Sequence, residues 1–176
     1  MSEIVTLHEV YDLTDFATNN LWYMDFIKMP TTYYSITPAE LHMRCQSFTM
    51  PATTVQDLAV TLHNHVKHQS AKTVQPVSIT IPFIETQDMR TTKWLVSWRE
   101  ACSQTNTNYV SIPSARQATI QFYTYTGQQQ INFLYRISYC ELRSIGNIEY
   151  GNGSDVGAIV RSAEIQVGLV EDNLNI

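Results

Sequence analysis

The sequence predicts an α+β fold, mainly β: a sandwich or barrel of about seven antiparallel strands with one flanking α-helix and a long projecting hairpin. Three observations carry this. The chain uses 20 Thr and 10 Tyr, residue types that fit a pleated, half-buried surface. Segment after segment alternates apolar and polar residues with period two, the strand signature. Only one stretch, from Thr91 to Cys102, carries a strong helical spacing.

Taken in order, Thr14 and Asp15 predict a short capped turn that ends at Asn19-Asn20. Residues 21–29 read as a strand that is apolar on both faces, stopped by Pro30, which has no N–H to give a ladder. Residues 31–38 read as a linker. Residues 41–48 read as the second strand, with Leu41, Met43, Cys45 and Ser47 alternating against His42, Arg44, Gln46 and Phe48. Two long candidates follow, 55–66 and 73–84, joined by a polar turn at 67–72. Leu58, Val60 and Leu62 alternate in the first, and Val77, Ile79, Ile81 and Phe83 in the second. Such a hairpin exceeds the usual strand of about five or six residues. It therefore projects from the domain and is expected to meet a partner, becoming ordered on assembly.

The helix follows, with Thr91, Trp94, Leu95, Trp98, Ala101 and Cys102 on one face and Thr86 or Asp88 as its cap. Trp94 and Trp98, one turn apart, are expected to dock it on the sheet, with Leu95 and Cys102 beside them. Residues 103–113 read as a loop. The clearest hairpin is 117–126 with 131–142, turning through Gly127. Gly146, Gly151, Gly153 and Gly157 mark a loop, and residues 163–170 form a final strand. A length of 176 residues predicts one domain at roughly 150 residues each. In it, 1–14 is an N-terminal extension and 171–176 an acidic tail.

Composition excludes several classes. Net charge is −5, whereas general nucleic-acid binding needs clustered Lys and Arg to neutralise phosphates. The first nine residues hold Glu3 and Glu9 and no Lys or Arg, so a signal-peptide n-region is not expected. No apolar run reaches the length of about 18 residues that suggests a membrane span. Cys45, Cys102 and Cys140 are odd in number and widely spaced, which fits neither a disulfide framework nor a zinc site. They read as small buried hydrophobes in a reducing compartment.

Chemistry is sparse. In His63-Asn64-His65-Val66-Lys67-His68, His63 and His65 fall on one face of a strand, a placement that would let both reach one ion. His68 has the opposite parity, and no Cys or acid nearby completes a ligand set, so polar side chains near a hairpin tip are the better reading. Gly-Asn-Gly-Ser-Asp-Val-Gly at 151–157 is one residue too long for a dinucleotide fingerprint. No nucleophile elbow, phosphate loop or His-Glu-Xaa-Xaa-His occurs, and the carboxylates are scattered. The expectation is a protein that is no enzyme, with no cofactor and no metal. Charged residues make up only 15% of the chain, against about 25% in ordinary domains. Thr, Gln, Asn and Tyr replace them, a surface suited to protein contact.

The order of elements resembles a known family. The carrying residues are Asn20-Leu21-Trp22-Tyr23-Met24-Asp25-Phe26, then Gln46-Ser47-Phe48-Thr49-Met50-Pro51, then the long hairpin. The helix with Trp94-Leu95-Val96-Ser97-Trp98 and the hairpin entering Tyr139-Cys140-Glu141-Leu142-Arg143-Ser144-Ile145-Gly146 complete it. Over most of residues 14–172 this is similar to the tail tube proteins of contractile-tailed bacteriophages and of phage-like injection machines. The resemblance implies homohexameric rings stacked into a hollow tube. Sheath protein lies outside, a baseplate initiator and a tail terminator stand at the ends, and DNA passes through the lumen without specific binding. It implies a place in the virion tail, assembly in the host cytoplasm, and no membrane anchor. A baseplate tube-initiator or hub ring of the same fold is the alternative. In this frame the hairpin residues Asp57, His63, His65, Lys67, His68 and Lys72 make the inter-ring contact.

Overall fold

In the computed structural model, residues 21–49, 54–62, 65–74, 78–125, 131–148 and 157–172 are described. Within them the strands are β1 (Trp22–Lys28), β2 (Thr54–Leu62), β3 (His65–Val74), β4 (Ser78–Ile84), β5 (Ala118–Tyr125), β6 (Ile131–Ile145), β7 (Val160–Gln166) and β8 (Leu169–Asp172). The helices are α1 (Pro38–Arg44), α2 (Arg90–Cys102) and a single turn, α3 (Pro113–Arg116). The fold is mainly β, with helices packed on an antiparallel sheet.

That sheet has six strands in the order β1-β5-β6-β7-β4, with β8 also on β6. β6 is its organiser. One edge pairs with β5, from Tyr125↔Ile131 to Ala118↔Cys140. The other edge pairs first with β8, from Tyr135↔Asp172 to Ser138↔Leu169, and then with β7, from Glu141↔Gln166 to Ile145↔Ala163. The predicted final strand, 163–170, is thus two strands along one edge, and Glu171 and Asp172 of the expected tail belong to β8. Between the two ladders Tyr139 adopts φ 57°, unusual for a bulky residue. Gly168 faces it: a Cβ there would stand 2.6 Å from the Tyr139 Cβ.

The sheet does not close into a barrel by strand pairing. Its ladders stop at β1 and β4, and α1 bridges the two edges. The β1 edge N–H of Met24 donates to His42 Nδ1 at 3.2 Å. On the other side Cys45 bridges to Phe83, and Gln46 N–H donates to the Pro82 carbonyl at 3.0 Å. The sequence reading of 41–48 as a strand is therefore corrected. Thr37 and Glu40 form a reciprocal capping box with Pro38 in the first turn, which starts a helix where a linker was expected. Leu41 and Cys45 are both buried, an i, i+4 pair, whereas Met43 is 74% exposed. The apparent alternation of Leu41, Met43 and Cys45 coincides with a helical pair.

α2 lies on the opposite side of the core from the sheet strands. Trp94, Leu95 and Trp98 are buried, with Phe26, Ile120, Ile137 and Ile165 in the same cluster and Cys102 at its margin. Phe26 meets both indoles edge-on, at centroid distances of 5.7 and 6.4 Å, the favoured aromatic geometry. The Trp98 indole N–H donates to the Arg116 carbonyl at 2.8 Å, which ties α2 to α3. The cap position falls to Met89 rather than Thr86 or Asp88. Met89 is in the left-handed region with no side-chain cap, and the Glu85 carboxylate takes the orphan N–H groups of Thr91 and Thr92 instead.

The long hairpin also differs from its sequence reading. Leu62 and His65 pair directly, and residues 63–64 between them lie outside the described residues. Residues 67–72, expected as the turn, lie inside β3. The second candidate strand, 73–84, divides: β3 ends at Val74, and β4 joins the six-stranded sheet through β7, from Ser78↔Gln166 to Ile84↔Val160. Period two was present on both sides of the break, and it carries no information about which partner each half takes.

Candidate assembly surfaces

Two surfaces stand out. The first is the β2–β3 ribbon, a two-stranded sheet separate from the main one. Its register runs from Thr54↔Val74 to Leu62↔His65, with a bulge between Gln56 and Asp57. Leu58 pairs with Gln69 and Val66 with Thr61, which puts Leu58 and Val66 on opposite faces. They are 51% and 56% exposed, so each face of the ribbon shows an aliphatic side chain to solvent. Gln56, Asp57, Ala59 and Thr61 are exposed as well. A two-stranded ribbon is marginal alone, and its outer edges are templates for further pairing.

Of the residues expected at an inter-ring contact, the structure places five on this ribbon. Asp57 pairs with Ser70, His65 with Leu62, Lys67 with Val60, His68 with Ala59 and Lys72 with Gln56. His63 lies outside the described residues. Among the described residues no group of three or more His, Cys, Asp or Glu is placed to hold a metal ion.

The second surface is the sheet face turned away from α2. Met24 and Phe26 of β1, Ile120 and Phe122 of β5, and Tyr135 and Ile137 of β6 point into the core. Alternation therefore sends Tyr23, Asp25, Gln121, Tyr123 and Arg136 to the other side. Three of them, Gln121, Tyr123 and Arg136, form a hydrogen-bonded network. Gln121 is buried; with its oxygen toward Arg136 it accepts from Nε at 2.6 Å and Nη2 at 2.5 Å, and its nitrogen donates to the Tyr123 hydroxyl at 2.5 Å. Arg136 also approaches Glu171 of β8 at 3.9 Å. Burial, with Asp25 nearby, holds the Tyr123 phenol above its usual range. The face is polar, aromatic and largely charge-compensated. The β5 alternation of Gln121, Tyr123 and Tyr125 foreshadowed it, but Arg136 as the hub required the register between β5 and β6.

The cysteines are free, Cys45 and Cys140 buried and Cys102 half-buried. Burial pushes the Cys45 and Cys140 thiols up to about 12, which leaves no thiolate for nucleophilic or ligand chemistry near neutral pH. No helix among the described residues is long and apolar enough to cross a membrane.

No protein-family model matches the chain, and no curated protein does. Solved structures do. A chain in the sheath/tube terminator structure of the PVC extracellular contractile injection system, in its extended state, aligns with a TM-score of 0.63 at 10% identity, covering 92% of this chain and 99% of its own. A chain of the anti-feeding prophage tube-terminating cap aligns at 0.63 with 8% identity, over 91% and 92%. One from the six-fold symmetrised anti-feeding prophage baseplate aligns at 0.61 with 7% identity, over 91% and 97%. At these identities the likeness is one of fold. It extends over nearly the whole of each chain.

Proposed function

We propose that this chain is a ring-forming subunit of the inner tube of a contractile tail or related injection machine, six copies to a ring, with rings stacked into a conduit for DNA. The observation that carries the reading is the freestanding β2–β3 ribbon, open on both faces, on a fold found in tube-terminator, cap and baseplate structures. A ribbon of this kind gains its missing contacts from neighbouring copies. One edge extends a neighbour's sheet, and the ribbon, with Asp57, His65, Lys67, His68 and Lys72 along its length, meets the next ring. Sheath protein would lie outside, with an initiator and a terminator at the two ends. The polar network around Gln121 suits a wetted inner surface better than a dry interface. Nothing in this reading calls for catalysis.

A second reading, a single initiator ring at a baseplate, is favoured by the likeness to the baseplate chain. Negative-stain microscopy and mass measurement of the purified chain at rising concentration separate the two. Stacked six-fold rings support the tube, isolated rings support the initiator, and a monomer at every concentration with no rings in particles sinks both.

A further inference from the structure

Beside α2 and the loop before α1 lies an open cleft of about 280 Å³, lined by Tyr33, Tyr34, Thr92, Lys93, Val96 and Ser97. It falls below the roughly 300–1,000 Å³ of small-molecule pockets, so it is sized for one or two side chains. Its wall is rigid. The buried Ser97 hydroxyl accepts from the backbone N–H groups of Tyr33 at 2.8 Å and Tyr34 at 3.4 Å. Thr31 N–H donates to the Ala115 carbonyl at 2.7 Å, which anchors the same loop to α3. Tyr33 is nevertheless 77% exposed, an aromatic held out in water by a fixed backbone.

The rim carries one cation. Lys93 Nζ donates to the Asp88 carbonyl at 2.8 Å and sits 5.5 Å from the centroid of the Tyr34 ring. Among the described residues it has no carboxylate partner. An apolar cleft with a preformed aromatic wall and an ammonium lacking a counter-ion is complementary to an apolar side chain next to a carboxylate. Tyr and its neighbours in such rigid settings are the usual anchors of protein contacts.

We propose that this cleft docks an acidic segment of a different protein, which seats an apolar side chain against Tyr33 and Val96 and a carboxylate on Lys93. The choice of a different protein rests on the assembly reading above: self-contact is assigned there to the ribbon and its edges, while α2 lies across the core from the uncovered sheet face. The cleft would then stay open on an assembled ring.

The test is an amide-shift titration of the full-length chain with an acetylated twelve-residue helical peptide that carries Leu and Glu one turn apart. A control peptide carries Lys in place of Glu. The expected result is shifts centred on the six lining residues, binding weakened about tenfold by Lys93→Glu, and preference of the Lys93→Glu chain for the control peptide. A tenfold loss corresponds to about 1.4 kcal/mol. No binding, shifts elsewhere, or equal binding of both peptides to the parent chain overturns the proposal. Microscopy of Lys93→Glu is the second arm. Loss of rings in this variant alone makes a second copy the occupant and also overturns it. Absence of rings in parent and variant alike removes the assembly reading but leaves the titration result to decide the cleft.

Discussion

Glu85 accepts from the Thr92 backbone N–H at 2.7 Å and from the Thr92 hydroxyl at 2.6 Å. A residue at the end of β4 thereby caps the helix that covers the core, across a turn whose own cap position, Met89, offers no side chain. Glu85 Oε1 accepts from Thr86 and Thr91 N–H and lies 3.6 Å from Arg44 of α1. One buried carboxylate thus joins β4, α1 and α2.

Glu85→Gln turns an amide NH₂ toward these donors. The expected cost is about 1.5–3 kcal/mol, the range for hydrogen bonds to a charged group, or a Tm lower by about 3–12 °C at this chain length. Thermal melts followed by circular dichroism check it. Burial alone would raise the Glu85 pKa, but the hydrogen bonds from Thr92, Thr86 and Thr91 outweigh it and hold the group below its ordinary value of 4.5. A depressed carboxyl stabilises fully above the ordinary value and loses that stabilisation as pH falls through the folded one. The parent chain should therefore lose more stability than Glu85→Gln on acidification below 4.5.

The two indoles should respond differently to substitution. Trp98→Phe removes the bond to the Arg116 carbonyl and leaves a polar atom unpaired. Trp94 Nε1 is buried with no partner among the described residues, so Trp94→Phe removes no such bond. Chemical denaturation should place Trp98→Phe about 1–3 kcal/mol below Trp94→Phe. Trp98→Ala should cost about 3–5 kcal/mol and give insoluble protein. A soluble, normally folded Trp98→Ala that fails only to assemble would mean that α2 acts as an interface and not as a core element.

His42 supplies the third test. Burial lowers its pKa from 6.5, and the neutral ring is the form whose Nδ1 accepts the Met24 N–H. Because the folded pKa is depressed, its contribution is complete above the unfolded value and fades as pH drops through the folded one. Imidazole shifts followed by NMR should report a pKa below 6.5. His42→Phe should flatten the pH dependence of stability in that window and leave the slope below 4.5 unchanged.

Much of the main sheet is legible: β5, β6 and the β4 half of the long segment alternate over a one-sided core, and β1 reads as an apolar run stopped by Pro30. Two features escaped for a shared reason. The Thr37–Glu40 capping box does not stand out in the sequence because the residues after it also satisfy period two. The division of 73–84 between ribbon and sheet was invisible because alternation identifies a strand but not its partner. At the candidate surfaces the polar stretch 67–72 is legible as composition but not its place inside β3, and the Gln121–Arg136 pairing depends on register alone.

The ribbon gives the fourth test. Hydrogen exchange on amides of 54–62 and 65–74 should be fast in the free subunit and strongly slowed in assembled rings, since ordering a residue costs about 1–2 kcal/mol in backbone entropy and neighbours must supply the return. Equal protection in both states would show a ribbon ordered before assembly. Leu58→Glu with Val66→Glu should leave a monomer with native circular dichroism that forms no rings.

The pairing of β6 has a kinetic consequence. Its partner β5 is a near neighbour in sequence, so that hairpin closes a short loop, whereas Trp22 of β1 must find Thr124 across most of the chain, and such long closures are slow. The β2–β3 ribbon is equally local and lies inside the loop that β1 has to close. A newly made chain can therefore bring β2 and β3 within reach of each other before the sheet that carries them is finished, but a two-stranded ribbon is marginal alone. Delaying the adhesive element until the body exists is then a matter of entropy: a ribbon too weak to hold itself together cannot capture a neighbour prematurely.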